Sequence, residues 1–222
     1  MSETTPERRY TTWPVEYRSR GDGNKIGGYA AVFSTLSRNL GGFVEEVKPG
    51  FFNKSRGDGW PGVVARFNHD DNMLLGTVAG GSLRLSVDET GLDYVVEPPA
   101  ARADITELVQ RGDVRQSSFA FMTFEDEWGV TEQGFPMRSL ISGKLVDVAP
   151  VVSPAYLDTT AGMRSLAAKV GADLEEVRKL AGENELRKFF VKTGVPSTPE
   201  KPRVRGHSAI AALLAKKDGP AG

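Results

Sequence analysis

Three polar positions have the residue types for hydrolytic chemistry: His69 in RFNHDDNMLLG, the pair Ser117 and Ser118 in DVRQSSFAFMTF, and Asp147 in GKLVDVAPVV. A serine hydroxyl is a weak nucleophile until a base within hydrogen-bond reach takes its proton, and an imidazole does this near neutral pH. A carboxylate between Val146 and Val148 needs a partner that offsets its desolvation, and an imidazole N–H is such a partner. Each position also has a plainer reading. His69 fits a loop histidine beside Asp70 and Asp71, the serines fit a strand start satisfying local backbone groups, and Asp147 fits an outward-facing strand residue.

The elements that must position these residues show in the hydrophobic periodicity. From Lys25 to about Pro154 come short strand-like runs, IGGYAAVF, GFVEEV, GVVARF, SLRLSV, GLDYVVE, SSFAFMTFEDEW, PMRSLIS and KLVDVAPVV, punctuated by Gly, Asp and Asn. His69 follows the run VVARF. Ser118 opens an apolar strand that puts Phe119 and Phe121 on one face and Ser118, Ala120 and Met122 on the other. ARADITELVQRGD breaks the pattern, because Ile105, Leu108 and Val109 fall on one helical face before a stop at Gly112. The expected fold is therefore mixed α/β and β-rich, a closed or nearly closed β-barrel flanked by helices.

Residues 1–24 are polar, end in RSRGDGN and read as a mobile N-terminal arm that lends an edge strand near Pro14 to Tyr17. Residues 25–166 read as the catalytic domain, and 167–222 as a linker with a flexible helical tail. In that tail Leu174, Val177, Leu180 and Ala181 make an apolar stripe, PSTPEKPR is an extended linker, and Ser208 caps a last helix bearing Ile210, Leu213 and Leu214.

Composition excludes several kinds of chemistry. With no cysteine, thiolate nucleophiles, disulfides and cysteine zinc sites are out, and two histidines, His69 and His207, are too few for a histidine-rich metal site. Asp70 and Asp71 beside His69 lack the second ligand cluster that a metal-dependent hydrolase needs. No apolar run approaches the roughly 20 residues that span a bilayer, and MSETTPERRY lacks a secretory pattern, so a cytoplasmic location is expected. The net charge of -1 opposes a dedicated nucleic-acid binder, although 12 basic and 7 acidic residues from Arg164 onward make the tail basic. A nucleic-acid-binding β-barrel displaying Phe51, Phe52, Phe119 and Phe121 is the weaker alternative, since alternating aromatics on strands usually pack inward.

Taken in order, GYAAVF, LGGFVEEVKPGFF, FNHD followed by LLG, SLRLSVDETGLDYVVEPP, RGDVRQSSFAF and LVDVAPVVSPAYLDT resemble the prohead maturation proteases of tailed phages, over roughly residues 26–166. That family is similar in fold to the capsid-assembly proteases of herpesviruses. The resemblance implies a serine endopeptidase with Ser118 as nucleophile, His69 as general base and Asp147 as third member, and Ser117 as the neighbouring rival for the nucleophile. It departs from the family in having Ala120 where a glycine is typical and Asp147 where a glutamate is usual. The resemblance further implies action inside the procapsid in the host bacterial cytoplasm. The expected partners are the major capsid protein and its scaffold segment, with self-cleavage and self-association, and neither metal nor organic cofactor. A non-enzymatic capsid-assembly or scaffolding protein is the alternative, which has no need for the three residues together.

Overall fold

The computed structural model describes residues 6–18, 24–152 and 159–191. In chain order its elements are β1 (Glu7–Pro14), β2 (Glu16–Tyr17), β3 (Ile26–Val32), β4 (Val44–Val47), α1 (Asn53–Gly57), β5 (Val64–Arg66), β6 (Leu74–Thr77), β7 (Leu83–Val87) and β8 (Gly91–Val96). There follow α2 (Ala103–Arg111), β9 (Gln116–Val130), β10 (Pro136–Val151), α3 (Thr160–Val170) and α4 (Leu174–Gly182). One sheet runs β1-β9-β10-β5-β6, with β4 also on β10, and a second runs β2-β3-β8-β7.

Among the described residues no sheet closes into a barrel, which corrects the architecture expected from the sequence. Two local features explain it. The far edge of β10 is shared, Met137–Leu140 pairing with β4 and Asp147–Val148 with β5, so that side of the sheet runs out to β6. Between the sheets, Phe33, just past the end of β3, meets Val47 of β4 at an isolated bridge instead of a ladder. The two sheets instead share an apolar core in which Phe51, Phe52, Phe119 and Phe121 pack ring on ring, the Phe51–Phe121 and Phe52–Phe119 pairs edge-on at 5.3 and 5.8 Å. The phenylalanines of the nucleic-acid reading are thus core residues.

The strand pattern placed most ladders, with three differences, the first being β6, which none of the expected runs covers. PMRSLIS and KLVDVAPVV form one strand, β10, because the kink at Ser142–Gly143 is a register shift against β9 and not a turn. Glu7–Pro14, inside the stretch read as an arm, is a strand paired antiparallel with β9. Its polar sequence hides this, because Glu7, Arg9 and Thr11 are buried on ion pairs and hydrogen bonds. α2 forms where its stripe predicts, with Ile105 and Val109 buried and Gly112 at φ 78° as the left-handed stop. α3 and α4 close a second small core, where Leu166, Val177 and Ala181 meet Leu40 and Phe43. The linker PSTPEKPR and the helix expected after Ser208 lie outside the described residues.

Candidate active site

Ser118 lies on β9 at the boundary of the core. Phe119 and Phe121 point into the apolar interior, so the alternation of the strand directs Ser118 to the opposite face. β10 runs alongside, with Ala149 opposite Ser118 and Asp147 opposite Ala120, which sets Asp147 on that same face. Asp147 is 1% exposed.

His69 reaches this face from the turn between β5 and β6. Asn68 and His69 both have left-handed backbone, at φ 53° and 57°, a conformation that costs non-glycine residues energy and persists only where the surroundings hold it. Here the hold comes from Asn68. Its N–H donates to the Pro150 carbonyl at 3.1 Å and its Oδ1 accepts from the Val152 N–H at 3.0 Å, which ties the turn to the end of β10. The role of Asn68 was not legible in the sequence beyond its tolerance of left-handed backbone.

The three side chains form one hydrogen-bonded row. His69 Nδ1 is 2.6 Å from Asp147 Oδ1, and His69 Nε2 is 2.7 Å from Ser118 Oγ. With Asp147 ionised, Nδ1–H donates to the carboxylate, and Nε2 is left bare to accept the serine proton. Arg66 Nη1 stands 3.4 Å from Asp147 Oδ2 and also pairs with Asp71, adding a cation beside the buried carboxylate. Ser118 Oγ has a second partner, the Arg9 carbonyl of β1 at 2.8 Å.

The rival serine is turned away. Ser117 is fully buried on the Phe119 face, with Oγ 3.1 Å from the Tyr94 hydroxyl. Burial pushes the Tyr94 phenol well above its ordinary value, outweighing the lowering effect of that hydrogen bond, so the pair is neutral. Asp70 is exposed and caps its own turn by accepting from the Asn72 N–H at 2.8 Å. Among the described residues no group of three or more His, Asp or Glu side chains is placed to hold a metal. His207 lies outside them.

No curated protein and no solved structure matches the chain. A family model does, that of the caudovirus prohead serine protease, over residues 13–171. The match spans β3 through β10, the strands and turn that bring His69, Ser118 and Asp147 together. On that match, which covers well over half of its length, the chain belongs to the caudovirus prohead serine protease family.

Proposed function

We propose that the protein is an endopeptidase of prohead maturation with Ser118 as nucleophile, His69 as general base and acid, and Asp147 as the residue that orients His69. The observation that carries this reading is the unbroken row from Ser118 Oγ through His69 to Asp147, at 2.7 and 2.6 Å. In the first step His69 Nε2 takes the Ser118 proton as Oγ bonds to the scissile carbonyl carbon. The imidazolium then gives that proton to the departing amine as the C–N bond breaks, leaving an acyl ester on Ser118. Water, deprotonated by His69, cleaves the ester and restores the serine. Asp147 holds the ring in the tautomer that leaves Nε2 bare and stabilises the imidazolium between the steps.

The substrates in this reading are the capsid protein and its scaffold segment, met inside the procapsid, with cleavage of the enzyme's own chain as a further event. Confinement with the substrate raises effective concentration, so modest affinity suffices. The test is co-expression of the chain with its cognate capsid protein, wild type beside Ser118→Ala, both proteins read by intact mass. Truncated capsid protein with wild type and full-length capsid protein with the variant is the expected result. Cutting by both would make Ser118 the wrong serine. Cutting by neither would favour a non-enzymatic assembly role.

A further inference from the structure

The second contact of Ser118 has a chemical consequence. The hydroxyl carries one proton and has two acceptors in reach, His69 Nε2 at 2.7 Å and the Arg9 carbonyl at 2.8 Å. When the proton goes to Arg9, Nε2 must itself present an N–H to Ser118, and a ring in that state cannot act as base. The main chain of β1 therefore competes with His69 for the proton that catalysis needs.

The placing of β1 is that of a peptide laid along a sheet edge. It is the outermost strand, antiparallel to β9, with Arg9 opposite Phe119, Tyr10 opposite Ser118 and Thr11 opposite Ser117. An extended segment bound in this manner gains affinity from the backbone ladder and selectivity from alternate side chains. In β1 those side chains are Glu7 and Arg9, both buried, while Arg8 between them is exposed. Arg9 meets Glu45 of β4 through Nε at 2.7 Å and Nη2 at 3.1 Å. Glu7 meets Arg138 of β10 at 2.7 and 3.1 Å.

The groups that receive β1 are complementary to this pattern without it. Arg138 is also held by Glu45 at 3.0 Å and by Asp126 at 2.6 Å, so the slot keeps two carboxylates and one guanidinium, one net negative charge. A cation opposite Glu45 and an anion opposite Arg138 each meet an opposite charge there without changing that net charge, and a buried charge left unmatched is costly. We propose that the edge of β9 from Gln116 to Phe121 is the substrate-strand site, that it accepts extended segments with an acidic residue two positions before a basic one, and that β1 is its resident occupant, which must leave before Ser118 can act. The proposal rests on Ser118 being the nucleophile. Glu45 and Arg138 are its specificity residues, set inside the fold opposite the face that carries His69.

The test uses full-length wild type, Arg9→Ala and Ser118→Ala chains and a fluorophosphonate that labels activated serines, with thermal melts to establish folding. Loosening β1 enlarges the open fraction, so Arg9→Ala is expected to label about tenfold faster than wild type, and Ser118→Ala not at all. A synthetic peptide PERRYTTW is expected to suppress labelling of Arg9→Ala, and the same peptide with citrulline in place of its second arginine is expected not to. A folded Arg9→Ala chain that labels no faster than wild type overturns the proposal, as does equal suppression by the two peptides. Labelling of no chain would instead remove the serine-protease reading of Ser118. Should Arg9→Ala not fold, hydrogen exchange of wild type carries the test: labelled protein should lose protection in Glu7–Pro14 while the β9–β10 ladder keeps it, and unchanged protection in β1 overturns the proposal.

Discussion

At the scale of single residues, the contacts of the two serines separate their roles. Ser117→Ala leaves the buried Tyr94 hydroxyl without this partner, so it should lower stability by about 1–3 kcal/mol and leave peptide cleavage intact, as a melt and an assay would read. Asp147→Asn keeps the volume but favours the tautomer with Nε2 protonated. It should reduce kcat by about 10⁴ with an unchanged melt. Residual activity near wild type would mean that Asp147 serves the fold and not His69. The candidates His69, Ser118 and Asp147 were legible as residue types, His69 after one strand run, Ser118 at the start of another and Asp147 within a third. Their convergence was implied by the family resemblance alone, because it depends on the β9–β10 register and on the left-handed turn at Asn68 and His69, neither of which leaves a periodic signal.

At the scale of elements, the sequence revealed most strands through their apolar side chains, including β4 with its buried Glu45 and Glu46, and concealed β1 and the short β6. β3, β5, β8 and β9 read directly from alternating or continuous apolar runs, whereas β1 reads as a polar arm because its inward residues are Glu7, Arg9 and Thr11. β10 shows a second kind of concealment. Ser142 and Gly143 look like a break between two strands, yet the chain continues and Gly143 lets the Phe51 ring lie against the backbone. A Cβ at Gly143 would stand 2.2 Å from Phe51 Cζ and 2.8 Å from the Met122 carbonyl, whereas one at Gly129 of β9 would meet nothing within 4 Å. Gly143→Ala should therefore destabilise by about 1–3 kcal/mol through overpacking. Gly129→Ala should stay within about 0.5 kcal/mol of wild type. Equal melting temperatures for the two variants would mean that Phe51 moves aside freely.

At the scale of the whole molecule, a buried charge network ties the N-terminal strand to the rest of the fold. Arg138, 1% exposed, pairs with Glu7, Glu45 and Asp126, joining β1, β4, β9 and β10. Burial alone would push the Glu7 carboxyl up, but the charges of Arg138 and Arg9 and the hydrogen bonds from Arg138 and Thr123 outweigh it and hold Glu7 below the usual carboxylate range. A carboxyl depressed in the folded state contributes stability that is complete above its unfolded value and is lost as pH falls through its folded value. Replacing Arg138 with methionine removes the cation that three carboxylates share, and at neutral pH it should lower stability by about 3–5 kcal/mol. In the variant Glu7 loses its main cause of depression, so protonation relieves repulsion there, whereas in wild type it breaks an ion pair. The stability gap between the two proteins should therefore be widest near neutrality and narrow as pH falls through the lowered Glu7 value. Urea melts of both proteins at a series of pH values measure that gap directly. A gap that stays constant through the carboxylate range would mean that Arg138 acts by filling space and that charge does not hold β1 in place.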